Sequence, residues 1–471
     1  MTTAVVVGAG PNGLAAAVAL ARRGVSVTVY EAADTIGGGT RTSERIVPGL
    51  LHDDCSAVHP MGAASPFFRS LDLAAHGLEW RYPDIDLAHP LDDAVSGVFT
   101  RSIERTVSRL GPDGPAWRRL FAPLSERFDD LAGELLRPVA HLPRHPISMA
   151  RFGISALAPA TSTAKRWRTE QARALFGGVA AHAYYPLSRP TTSAAGLMML
   201  AAGHRYGWPV AKGGSRAIAD SLASLLRAHG GRIETGRRVR SLGELPRADV
   251  TMLDLSPTGV AEVAGDLLPA RVARAYRKYR YGPAAFKLDL AVEGGIAWRD
   301  EACRRAGTVH LGGTFGEIVA TERDLHRGRM PERPFVLIGQ QYLADPSRSV
   351  GDVHPVWAYA HVPHGYTGDA TEAILRQIER FAPRTRDRIV GTFSRSAVEM
   401  PRYNPNYVGG DIATGANDPV QLLTRPRVAV DPYATGIPGV YICSAATPPG
   451  GGVHGMGGFN AARSALRALA R

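Results

Sequence analysis

An α/β fold organised around an N-terminal β-turn-α-β unit is what this sequence of 471 residues predicts. Three observations carry that expectation. The β-branched run Val5-Val6-Val7 enters Gly8-Ala9-Gly10-Pro11-Asn12-Gly13, a helical pattern follows, and Val25 to Glu31 then alternates as a second strand closed by a carboxylate.

Each element has a local cause. Three β-branched residues suit a short buried strand. Gly8 and Gly10 permit a tight turn with close backbone approach, and Gly13 lets the helix pack against the strand. Leu14, Ala17, Val18 and Ala21 give that helix its apolar face, Arg22 and Arg23 suit its C-terminal end, and Gly24 stops it. With 52 glycines in the chain, a Gly-x-Gly-x-x-Gly spacing says little alone. Its place between strand and helix, with Glu31 set to accept from a ribose hydroxyl, points to a bound dinucleotide. Gly8, Gly10, Pro11, Asn12, Gly13 and Glu31 are therefore candidate contacts. Beyond Glu31, the run Gly37-Gly38-Gly39-Thr40-Arg41-Thr42 adds backbone donors and an arginine close to the phosphate position.

The length exceeds one ordinary core and implies two domains, at least one of them discontinuous. A formal charge of +12 invites a polyanion partner. Lysine occurs only at positions 165, 212, 278 and 287, however, and the arginines are scattered, a composition better matched to coding bias than to nucleic-acid binding. Cys55, Cys303 and Cys443 form no close pair, which argues against zinc or any other metal and against thiol-disulfide chemistry. No apolar run approaches the ~20 residues of a membrane span. The expected location is cytoplasmic, with membrane association left open.

Further along, Leu51 to Pro60 is a polar patch, and residues 77–199 read as a helical insertion suited to a lid or substrate cap. Trp208 to Ser215 opens a helix carrying Ile218, Leu222, Leu225 and Leu226. Strands are expected at Arg232-Thr235, Arg238-Arg240 and Val250-Leu255. Residues 281–400 alternate strands with short helices and suggest an antiparallel sheet flooring a cavity. Near the end, the strand Gly439 to Ser444 and the loop Pro448 to Gly458 feed a last helix whose N-terminus offers amides and a positive dipole end to an anionic group.

Taken together, Gly8 to Gly13 with Glu31, Gly37 to Thr42, His52 to Pro60, Trp208 to Ser215, Gly282 to Asp289, Asn404 to Asp411 and Ser444 to Ala462 resemble the phytoene desaturase-like FAD oxidoreductases. The resemblance is strongest to the branch of pyridine nucleotide-disulfide oxidoreductase domain-containing protein 2. It implies FAD held in a Rossmann-type domain (1–76, 200–280, 401–471), with a discontinuous substrate domain of helical insertion (77–199) and antiparallel sheet (281–400), an amine oxidase/phytoene desaturase-like architecture. The FAD is expected to be non-covalent, since Cys443, the one cysteine near the C-terminal loop, sits in a strand whose neighbours Tyr441 and Ile442 suggest burial. By the same resemblance Gly38, Gly39, Thr40 and Arg41 pack on the pyrophosphate, Ser56 and His59 pass the isoalloxazine, and Val239 grips the adenine. The C-terminal segment brings Ser444, Gly452, Val453 and His454 to the flavin. The family's His-Pro-Gly-Gly-Gly reads Pro448-Pro449-Gly450-Gly451-Gly452 here, so that histidine's role does not carry over.

The one other Gly-x-Gly-x-x-Gly spacing, Gly450 to Gly455, lies in the C-terminal loop and not in a second β-turn-α-β unit, so no dedicated NAD(P)H domain is expected. The implied activity is dehydrogenation or saturation of a hydrophobic, isoprenoid- or lipid-like substrate by hydride transfer with flavin N5, with oxygen or a quinone as electron acceptor. Candidate bases are His454, His59 and His361. A redox-neutral isomerase using reduced FAD, a flavin amine oxidase and a non-catalytic flavin-binding protein are the alternatives. Arg144, Arg151, Arg166 and Arg168 beside apolar helix faces suit peripheral contact with a membrane.

Overall fold

A computed structural model describes residues 1–93, 95–138 and 141–470. Two sheets organise it. The first is parallel and five-stranded, in the order Val440–Ile442, Val250–Leu253, Thr3–Val7, Ser26–Tyr30, Arg232–Glu234. Three widely separated chain segments thus build one dinucleotide-binding domain. The helix Pro11–Ala21 is buried along nearly its whole length, because it packs on this sheet and against the helices Arg216–Ala228 and Met456–Leu469. Gly458 makes the last contact possible: a Cβ there would overlap the Asn12 carbonyl.

The second sheet has seven strands, in the order Ile389–Arg395, Ala284–Glu293, Val353–Val362, Val336–Gly339, Ala306–Leu311, Ile85–His89, Gly97–Phe99. Its pairings are antiparallel except that of Ala306–Leu311 with Ile85–His89. The α/β class and the discontinuous layout are those expected from the sequence, and the differences are local. Residues 77–199 do not begin as helix, since the strands Ile85–His89 and Gly97–Phe99 complete the second sheet and helices start only at Ile103–Arg109. Ile85-Asp86-Leu87-Ala88-His89 is buried at every position and shows no alternation, so period-two patterning could not reveal it. Asp86 tolerates that burial by accepting from the amides of Arg101 (2.6 Å) and Trp208 (2.8 Å).

Arg238-Val239-Arg240 is also not a strand. Its approach is held instead by the amides of Gly236 and Arg237, which donate to the carbonyls of Ala33 (2.9 Å) and Glu31 (2.8 Å). That brings Val239 into the small core with Tyr30, Leu253 and Val260.

Beyond the second sheet lie the cap helices Gly114–Glu126, Phe128–Leu135, Pro146–Ala156, Glu170–Ala180 and Ser193–Tyr206. Trp117, Phe121, Trp167 and Phe176 pack together as their aromatic centre.

The domains are joined by a buried ion network. Arg348 donates to Asp53 (2.6 Å), Asp345 (3.2 Å) and the Ala211 carbonyl (2.6 Å), and its side chain is 0% exposed. Asp53 also accepts from the Ser215 amide (2.7 Å) and the Thr42 hydroxyl (2.8 Å). One guanidinium therefore ties the second glycine run, the 211–215 turn and the second sheet together.

Candidate functional site

The first turn is shaped by close backbone packing. Gly8 has φ +102°, and a Cβ on Gly13 would overlap the Gly8 carbonyl, so larger residues cannot form this turn. The Gly13 amide donates to Asp254 Oδ2 (2.9 Å), and the Asp254 amide donates to the Val7 carbonyl (2.8 Å). Gly10 caps the helix Pro11–Ala21 without a side-chain hydrogen bond; Pro11 has no N–H and the Gly13 amide is held by Asp254, which leaves the Asn12 amide to face an anion. Gly38, at φ +52°, lies across from it: a Cβ on Gly38 would stand 3.1 Å from the Gly10 Cα. Two glycine runs thus face each other where a pyrophosphate would need both backbones close.

Glu31 ends the second strand with its carboxylate accepting from the amides of Ala9 (2.8 Å) and Ala33 (2.9 Å) and from Arg41 Nη2 (3.2 Å). Asp254 stands nearby. Burial, opposed by the Gly13 amide and reinforced by the Glu31 charge, raises its pKa from 3.8 to about 7. The unfolded chain releases this proton near pH 4 and the folded protein near pH 7, so stability falls as pH rises through that window. We expect ligand-free protein to lose on the order of 4 kcal/mol from this group between pH 4 and pH 8. Asp254→Asn, which keeps an acceptor for Gly13, should remove that component when urea unfolding is followed against pH.

From this turn a single cavity of about 1200 Å³ runs to the cap helices. Its near end is lined by Gly8, Gly10, Pro11, Asn12, Glu31, Gly38, Gly39, Arg41 and Val239, and its middle by Ser56, Ser444, Gly452, Val453 and His454. Three predicted contacts lie behind the wall, His59, which is taken up below, and two at the glycine runs. Gly13 is committed to Asp254, and the buried Thr40 hydroxyl donates to the Gly37 carbonyl (2.8 Å).

The candidate bases fare differently. His454 lines the cavity, but its Nδ1 accepts the Met456 amide (3.1 Å), which puts its proton on Nε2; it can donate and cannot take a proton at Nδ1. His59 lies outside the wall, with Nε2 2.8 Å from Ser215 Oγ and its ring against Trp80, so it supports the 52–60 loop. Burial lowers both pKa values to about 4, which keeps both rings neutral. His361 is bonded to Glu322 (2.7 Å) and stacked behind Tyr184 and Tyr359, one layer from the cavity. None of the three has the position and free acceptor a general base needs.

The far end is an apolar chamber. Met149, Phe152, Ala156, Met198 and Met199 wall it from the cap helices, and Leu337, Trp357 and Tyr359 from the second sheet. Neither Tyr184 nor Tyr359, which also line it, stood out in the sequence. Burial raises both phenols, so both present neutral rings. Beneath Trp357 the buried Lys287 is paired with Asp289, its pKa lowered by desolvation against the pull of that carboxylate. Backbone strain also collects here. Among the described residues five non-glycine residues have positive φ, and four of them, Tyr184, Thr191, Thr414 and Val453, line this cavity. Such conformations cost roughly 1–3 kcal/mol each and persist where the surroundings enforce them, typically at functional sites.

These features define a class: a Rossmann-type dinucleotide-binding domain joined to a mixed-sheet domain under a helical cap. Residues 6–72 match the NAD(P)-binding Rossmann-like domain family. Over 99% of its length the chain is 24% identical to pyridine nucleotide-disulfide oxidoreductase domain-containing protein 2 of Rattus norvegicus, covering 93% of that protein. The fold is shared with an oxidoreductase from Methanosarcina mazei (TM-score 0.66, 16% identity, 99% of this chain and 100% of that one). It is shared as well with putrescine oxidase (TM-score 0.62, 17% identity, 100% and 99%).

Proposed function

We propose that the protein is an FAD-dependent oxidoreductase that dehydrogenates or saturates a hydrophobic, lipid- or isoprenoid-like substrate. The observation that carries this reading is that one cavity holds both the paired glycine runs with Glu31 and the apolar chamber. Its volume exceeds that of an ordinary small-molecule pocket and leaves room for a dinucleotide and a second ligand. The fit is favourable at each part. The Gly10–Gly38 gap would take a pyrophosphate, Glu31 a ribose, and Val239 with Arg237 and Arg240 the adenine end. FAD bound here supplies a hydride acceptor at flavin N5.

The protein's own part is orientation and exclusion of water. Val453 and His454 present the N-terminal side of the helix Met456–Leu469, where positive potential favours electron density at the ring edge. Met198, Phe152 and Leu337 keep the reacting carbon dry. The charge of the wall argues against an amine substrate: its carboxylates, Glu31, Asp254 and Glu262, all belong to the dinucleotide end. The test is to denature purified protein and identify what it releases. FAD, with a colourless acid pellet, supports this reading; Cys443, beside the C-terminal loop, does not line the cavity and so has no face toward a flavin bound there. NAD(P) alone, or a yellow pellet, contradicts it.

Substrate entry from a membrane surface is part of the proposal. No helix among the described residues is long and apolar enough to cross a bilayer. The helix Pro146–Ala156 turns Met149 and Phe152 into the chamber while Ile147 and Ile154 on its outer side, with Leu157 just beyond, are 66%, 77% and 65% exposed. Arg144 and Arg151 flank them. We expect co-sedimentation with anionic liposomes that weakens with salt and is lost in Ile147→Ser/Ile154→Ser. Equal recovery with neutral liposomes removes the electrostatic part, and no recovery with either removes the membrane from the account.

A further inference from the structure

We infer that the apolar chamber takes a ligand whose apolar chain ends in an oxyanion, a carboxylate or a phosphate, seated on Arg425. Arg425 lines the cavity and is only 3% exposed. Its Nη2 donates to Asn417 Oδ1 (2.7 Å) and the Ala416 carbonyl (3.3 Å), while its buried Nε has no partner. Nη1 stands over Gly450, where a Cβ would come within 2.7 Å, so glycine at that point leaves the guanidinium its place. Among the described residues no carboxylate lies within salt-bridge distance of it.

The contrast with the other buried arginines is direct. Arg348, equally buried, holds two carboxylates. Arg137, the other arginine on the chamber wall, is neutralised by Glu134 at 2.5 Å. A buried cation without a counter-charge costs several kcal/mol. With Nη2 held by Asn417 and Ala416, the guanidinium is fixed in place and its Nη1 is left to donate a charge-assisted bond to an oxyanion, which would offset that cost. Asn417 in turn donates to the Ala183 carbonyl (3.1 Å), which couples this seat to the strained Tyr184 in the chamber wall.

This inference rests on the proposed function only in treating the chamber as the substrate's place, and its test does not depend on turnover. Dodecanoate, dodecyl phosphate and dodecanol are titrated calorimetrically into the purified protein, with cofactor content measured separately. A failure of the flavin reading then shows as absent FAD, and a failure of this one as absent anion preference. We expect at least one anion to bind about tenfold or more tightly than the alcohol. In Arg425→Gln that preference should vanish with dodecanol affinity unchanged, and the anion that the wild-type protein binds more tightly, carboxylate or phosphate, names the head group. Arg425→Lys keeps the charge but not the anchoring to Asn417 and Ala416 that fixes the donor, so a reduced preference is expected there and serves if the glutamine variant does not fold. Equal affinity for all three probes, no binding by any, or a preference untouched in the variants overturns the inference.

Discussion

Gly10→Val should give a folded protein that takes up no FAD. The glycine lies between Asp254 Oδ2, 2.9 Å from where a Cβ would stand, and Gly38 across the gap, so a branched side chain fills the space assigned to the pyrophosphate. Gly10 is extended, with φ −73°, so valine adds little backbone strain and the loss is one of binding. Fluorescence titration of FAD into variant and wild-type apoprotein, with circular dichroism as a folding control, checks this. Near-normal FAD affinity in the variant would mean that the cofactor does not cross this turn.

Arg348→Met should be the most destabilising single change outside the cavity. Removing one member of a fully buried ion network leaves Asp53 and Asp345 charged and without their partner, a cost of roughly 3–5 kcal/mol. Because the same guanidinium joins the two sheets' domains, lower Tm should come with weaker FAD retention. Asp53→Asn in the Arg348→Met background should recover part of the loss, since one stranded charge is removed. A single variant that unfolds in urea within about 1 kcal/mol of wild type would show the network to be energetically neutral.

What the sequence disclosed was whatever depends on local order. The strand, turn, helix and acid from Val5 to Glu31 are contiguous, and each residue type has a local reason to be there; the structure reproduces them as Thr3–Val7, Pro11–Ala21 and Ser26–Tyr30. The last helix and its glycine-rich approach were legible for the same reason. Ile85–His89 was not, because both of its faces are covered and its polar residues are satisfied by partners far along the chain. The chamber was legible only in outline, as a cavity floored by the 281–400 sheet and made apolar by the resemblance. Tyr184, Arg425 and the pair Trp357 and Tyr359 come from three separate stretches, and the strand carrying the pair is buried from Pro355 to Val362, so no alternation marks them. The histidines show the opposite error. Residue type suggested bases, whereas placement and hydrogen bonding count against them: Met456 occupies Nδ1 of His454, and His59 and His361 lie outside the cavity wall.

The proposed redox reading and the isomerase alternative agree on FAD and differ in what a substrate does to it. An anaerobic titration with a hydrophobic substrate should bleach oxidised flavin (dehydrogenation) or reoxidise reduced flavin (saturation) in the first case, and leave reduced flavin unchanged in the second. The central claim is prior to both: the cavity from Glu31 to the chamber holds FAD. Its most direct measurement is the cofactor content of protein purified without added nucleotide, by visible spectrum and by mass of the released compound. The account predicts FAD, bound without a covalent link, at one per chain; a colourless protein that takes up NAD(P) and not FAD on reconstitution would contradict it.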